Sequence, residues 1–93
     1  MGQITVKLYG AAVEAAKRRA ETKVEASNVH ELLRRLGEDF GDSFKKKIID
    51  SDGGPQSFVN VYVNNTDIRH LNNVETELKD GDEVLILPAV AGG

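Results

Sequence analysis

The residues best placed to do chemistry lie at the end of the sequence. Gly92 and Gly93 close it, after the apolar run Leu85-Ile86-Leu87, then Pro88, then the small stretch Ala89-Val90-Ala91. A glycine pair there neither packs nor caps an element, so the expectation is that the α-carboxyl of Gly93 is the working group. Such a carboxyl has a pKa of about 3.3–3.7 and is an anion at neutral pH. A carboxylate is a poor electrophile until it is activated. With no Cβ, the two glycines fit a narrow channel and adopt φ values that other residues avoid. Residues 89–93 reach about 17 Å when extended. The internal pair Gly53-Gly54 has no free carboxylate, precedes Pro55 and reads as a loop.

Other chemistries find little support. The chain has no cysteine, which excludes disulfides, thiolate metal sites, iron–sulfur ligation and cysteine nucleophiles. His30 and His70 are far apart and lack acidic or histidine partners at ligand spacing, so both read as surface residues. Asp80, Asp82 and Glu83 line a tight turn, and no metal site is expected. The net charge of −3 argues against a broad nucleic-acid face. The basic groups Lys17-Arg18-Arg19, Arg34-Arg35 and Lys45-Lys46-Lys47 read as solvated faces. No apolar stretch approaches the roughly 18–20 residues needed to cross a bilayer, and no signal-peptide core is present. The expectation is a cytoplasmic protein without membrane contact.

The elements that must position the end follow from periodicity. In "QITVKLY", Ile4, Val6 and Leu8 alternate with polar residues, as in a half-buried strand. The helix formers of "AAVEAAKRRA" predict a short helix over residues 11–20, and "TKVEA" a second strand, hairpin-like with the first. Asn28 as N-cap with Glu31 three residues on forms a capping-box pattern. Val29, Leu32, Leu33, Leu36 and Phe40 make one apolar stripe beyond it. Gly37 within that stripe predicts a loosened last turn, and Gly41 a stop. "DSFKKKIID" predicts a further helix with Phe44 and Ile48 inward, and "DSDGGP" a loop. In "SFVNVYVNN" the valines 59, 61 and 63 alternate, and Asn64-Asn65 turn the chain into a short strand near Asp67. "LKDGDEVLILP" closes the fold: Val84 and Ile86 face one way, Leu85 and Leu87 the other, and Pro88 ends the strand. One α+β domain results, residues 1–87, with a flexible tail over 88–93.

Taken together, "SNVHELLRRL", "VYVNNTDI" and "LKDGDEVLILPAVAGG" resemble the ubiquitin-like sulfur-carrier family, most of all its molybdopterin synthase small subunits (MoaD-type) of the archaeal kind. The likeness covers nearly the whole chain. Ala89 stands where the family's tail has a second proline, and the segment from Phe44 to Ser57 is longer than in compact bacterial members. The resemblance implies a β-grasp fold: a mixed sheet of four to five strands, the first and last parallel at its centre, crossed by one main helix with short accessory helices. It further implies that Gly93 is adenylated by an E1-like enzyme using ATP. A sulfur donor then displaces AMP and leaves a thiocarboxylate, with Gly92 as the adjoining tail residue and no permanently bound cofactor. The larger molybdopterin synthase subunit is the implied partner, so this chain has no complete active site of its own.

The alternation also leaves Tyr9, Tyr62, Leu85 and Leu87 pointing away from the helix-covered core. If the first, third and last strands are neighbours, these residues form an apolar docking patch beside the tail, with Pro88 and Val90 in the same partner-binding set. Three readings compete with the synthase subunit. One is a ubiquitin-like modifier joined through Gly93 to lysines of other proteins. Another is a carrier for thiamine synthesis or tRNA thiolation. The last is a β-grasp binding module whose tail is idle.

Overall fold

The computed structural model describes residues 2–89. Strand β1 (Gly2–Leu8) runs into helix α1 (Ala11–Ala15), and β2 (Glu21–Ala26) returns antiparallel to β1. Helix α2 (Val29–Phe40) and helix α3 (Asp42–Ile48) follow, then β3 (Val59–Val63), β4 (Thr66–Asp67) and β5 (Glu83–Pro88). The sheet order is β2-β1-β5-β3-β4. β1 and β5 pair in parallel at the centre, with Val6 beside Val84 and Leu8 beside Ile86. This is the β-grasp arrangement expected of the chain.

Burial follows the pleat. Ile4, Val6 and Leu8 of β1, Val59 and Val61 of β3, and Val84 and Ile86 of β5 are buried on one face. On that face lies α2, whose Val29, Leu32, Leu33 and Leu36 are fully buried. Each such aliphatic side chain contributes about 1.5–3 kcal/mol by leaving water. Phe44 and Ile48 of α3 complete the core, with the Phe40 and Phe44 rings 5.6 Å apart and tilted by 44°.

Three local expectations are refined. The helix read over residues 11–20 stops at Ala15, because the chain closes it with a Schellman turn. The Arg18 N–H donates to the Val13 carbonyl at 2.8 Å and the Lys17 N–H to that of Glu14 at 3.3 Å, with Lys17 at φ 58° and Arg18 at 66°. Glycine is the usual residue at this left-handed position, and its absence hid the stop. The Asn28 side chain does accept from the Glu31 N–H at 2.8 Å, but Glu31 returns the bond to the Ser27 N–H at 2.7 Å rather than to Asn28. Gly37 does not loosen α2, since the Gly41 N–H still reaches the Gly37 carbonyl at 2.8 Å. Instead a Cβ on Gly37 would sit 3.0 Å from Cγ of Lys45 and 3.3 Å from Cδ1 of Ile49, so this glycine lets α3 and the chain after it pack close. The Asn64-Asn65 turn is as read, with φ 48° and 73° joining Val63 to Thr66, the two-residue hairpin geometry that asparagine tolerates.

Candidate functional site

The face of the sheet away from α2 is where β5 presents its other side chains. Leu85 stands between Lys7 of β1 and Tyr62 of β3, and Leu87 is paired with Asn60. Tyr9 follows β1 directly, and its N–H donates to the Ile86 carbonyl at 3.1 Å, which sets it alongside Leu87. Tyr9 is 41% exposed and Leu87 38%, while Leu85, Tyr62 and Pro88 are half-buried. The strand adjacency on which the apolar patch depended is therefore present, because β1, β5 and β3 are neighbours. Gly92, Gly93 and Val90 lie outside the described residues.

Sequence reasoning missed three members of this surface. Phe58 precedes β3, is 40% exposed, and its carbonyl accepts from the Ala89 N–H at 2.6 Å. An exposed aromatic thus stands where the tail begins; the signal was its shared parity with Tyr62 in "SFVNVYVNN". Asn60 interrupts the apolar row beside Leu87. Lys7 borders it, ion-paired with Glu83 at 3.2 Å. The hydrogen bond and charge of Glu83 raise the Lys7 pKa above its ordinary value, so the ammonium stays charged.

The acidic turn before β5 has structural work. Asp80 accepts from the Gln3 N–H at 2.9 Å, and Asp82 from the Lys79 N–H at 2.8 Å and the Asn64 side-chain amide at 3.0 Å. The Asn64 side chain in turn accepts from the Glu83 N–H at 3.0 Å. These bonds fix where β5 enters the sheet, and so its direction where it leaves. Gly2 allows this closeness: a Cβ there would come within 2.7 Å of Cα of Asp80. His30 and His70 are exposed. Among the described residues no group of three or more His, Asp or Glu is placed to hold a metal ion. None of the described helices is long and apolar enough to cross a membrane.

Comparison with known proteins adds the family. The ThiS family model matches residues 6–93. A protein of Archaeoglobus fulgidus assigned as a sulfur carrier is 37% identical over 73 residues, 78% of this chain and 82% of its own. Among solved structures, the small archaeal modifier protein 1 of Methanosarcina acetivorans superposes with a TM-score of 0.84 at 33% identity, covering 100% of this chain and 98% of that one. A chain of the Amycolatopsis orientalis BexX/CysO complex does so with a TM-score of 0.83 at 30% identity, covering 97% and 99%. With the central parallel pair, the helix-covered face and a family match over nearly its whole length, this chain belongs to the ThiS family of ubiquitin-like sulfur carriers.

Proposed function

We propose that the Gly93 carboxyl is the group that carries sulfur, and that the face bearing Tyr9, Tyr62, Leu85 and Leu87 is where partner proteins dock. The observation that carries this reading is the family match running through residue 93, with β5 leading from a partly exposed apolar row toward that same segment.

In the proposed reaction a carboxylate oxygen of Gly93 attacks the α-phosphorus of ATP held by an adenylating enzyme, and pyrophosphate leaves. The acyl adenylate is a strong electrophile where the carboxylate was not. Hydrosulfide supplied by a sulfur donor attacks the acyl carbon, AMP leaves, and the sulfur stays on Gly93 as a thiocarboxylate. No metal or side-chain nucleophile of this chain enters either step. The chain's own part is to supply the terminal carboxyl and to offer its folded body for docking. Pro88 fixes φ at the root of the tail, and the half-exposed apolar side chains around it supply contact area that water now covers.

For the acceptor, we infer the larger subunit of a molybdopterin synthase, with sulfur passing to a pterin precursor held there. The likeness to the small archaeal modifier protein favours a second use of the same adenylate. In that use a lysine amine of another protein attacks the acyl carbon, AMP leaves, and an isopeptide bond forms.

The test is intact-mass measurement after incubation with ATP, the adenylating enzyme and a hydrosulfide source. The expected result is a mass gain equal to the exchange of one oxygen for one sulfur, lost when Gly93 is deleted or Gly92 is replaced by a bulky residue, with unchanged melting. An unchanged mass in the wild-type chain overturns the carrier reading. Copurification with a larger pterin-binding subunit supports the synthase, and lysine adducts without it support conjugation.

A further inference from the structure

We infer that the Lys17-Arg18-Arg19 turn is a docking element for an acidic surface on the adenylating enzyme, an inference that rests on the carrier reading above. Three observations meet at this turn. The first is its backbone. Lys17 and Arg18 both hold left-handed φ, at 58° and 66°, a conformation that crowds any Cβ and that glycine adopts freely. The Schellman bonds that close α1 are made by backbone groups alone, so glycine at position 17 would close the helix with less strain. Nothing in the helix stop calls for a cation there.

The second is the state of the side chains. Lys17, Arg18 and Arg19 are all exposed, and among the described residues the ion pairs join Lys7 to Glu83, Arg34 to Glu31 and Glu38, and Arg69 to Asp67. None includes this turn. Lys17 and Arg19 share a shallow cleft with Asp39 and Phe40, at the C-terminal end of a helix whose last turn has no basic residue of its own. That position offsets part of the negative end of α2, but it does not account for Arg18 or for the strained backbone. Three adjacent cations remain available in a chain whose net charge is −3.

The third is location. β1 and β5 are parallel, with Leu8 opposite Ile86, so α1 and its closing turn lie at the end of the sheet where β5 finishes. The chain then re-enters the sheet at Glu21, opposite Lys7. A partner that grips the chain beyond Pro88 therefore approaches the end of the molecule that displays these cations. Their complement is a cluster of carboxylates, which would steer the encounter and set its orientation.

The experiment is ATP–pyrophosphate exchange, using an adenylating enzyme that gives exchange with the wild-type chain. The double variant K17G/R18N removes two charges with residues that tolerate positive φ. It is expected to raise the KM for the carrier about tenfold, leave kcat within about twofold, and raise Tm by about 2–5 °C. Lys46→Ser with Lys47→Ser removes the same charge from exposed positions on α3 and is expected to leave KM within about twofold. An unchanged KM in K17G/R18N, an equal rise in both double variants, or a fall in Tm overturns the inference. A filter-binding measurement in which the wild-type chain retains RNA and K17G/R18N does not, with KM unchanged, overturns it in favour of a nucleic-acid contact. The carrier reading is tested separately by the intact-mass measurement on the wild-type chain, so an unchanged KM in K17G/R18N beside a wild-type chain that gains sulfur overturns this inference alone.

Discussion

Glu31 shows how a single residue serves both helix and acid stability. Its carboxylate accepts from the backbone N–H of Ser27 at 2.7 Å and from the Ser27 hydroxyl at 3.1 Å, while its own N–H is capped by Asn28. Those two bonds favour the charged form, and Arg35 and Arg34 add to them, so the Glu31 pKa lies below its ordinary value of 4.5. Because the folded value is the lower one, the unfolded chain binds the proton more readily. The stabilisation is complete above about pH 4.5 and is lost as pH falls through the folded pKa. Glu31→Gln keeps an acceptor but removes the charge, so its stability should change less with pH than the wild type's below pH 4.5, measured by thermal melts across an acid series. Parallel curves would refute this. Asn28 and Glu31 were legible in the sequence because capping is local, its partners three residues apart. The return bond to Ser27 was not, since it depends on how the chain arrives from β2.

At the scale of the element, the two sheet edges differ. β4 has two residues, whereas β2 presents six. Since Leu8 bonds to the Ala20 carbonyl at 2.8 Å, alternation directs the backbone groups of residues 22, 24 and 26 toward β1 and those of 21, 23 and 25 outward. The outward side carries Glu21, Lys23 and Glu25, all exposed, and charges there discourage edge-to-edge pairing. Proline at one of these positions removes an amide that bonds to nothing in the sheet. Lys23→Pro should therefore cost no more than about 1–2 kcal/mol in urea unfolding, while Val24→Pro, which breaks the ladder and removes a buried side chain, should cost about 3 kcal/mol or more. Equal losses would show the register to be wrong. Alternation made the strands readable from local sequence, and the same local logic failed for residues 11–20. There composition favours helix through Ala20, and the stop is written in backbone bonds between Lys17, Arg18 and the preceding turn. The parallel pairing of β1 with β5 was supplied by family resemblance, because no local pattern says which distant strands will meet.

For the whole molecule, β5 has one row in the core and one on the face proposed for docking. Ile86 is fully buried beneath the helices, and Leu87, the next residue, is 38% exposed on the opposite face. Truncating a buried isoleucine removes its transfer free energy and leaves a cavity, so Ile86→Ala should lower stability by about 2–5 kcal/mol. Leu87→Glu loses little packing and leaves its charge in water, so stability should stay within about 1 kcal/mol. Binding should show the reverse order. A carboxylate in an apolar contact is desolvated without a partner, and Leu87→Glu should weaken association with the adenylating enzyme or with the acceptor subunit by about tenfold or more. Ile86→Ala, assayed below its melting temperature, should bind within about threefold of wild type, since its side chain reaches neither partner. Calorimetric titration together with thermal melts reads both axes on the same two variants. A Leu87→Glu chain that binds normally would remove that residue from the docking face. An Ile86→Ala chain that folds normally but cannot bind would mean that both faces of the sheet act in recognition.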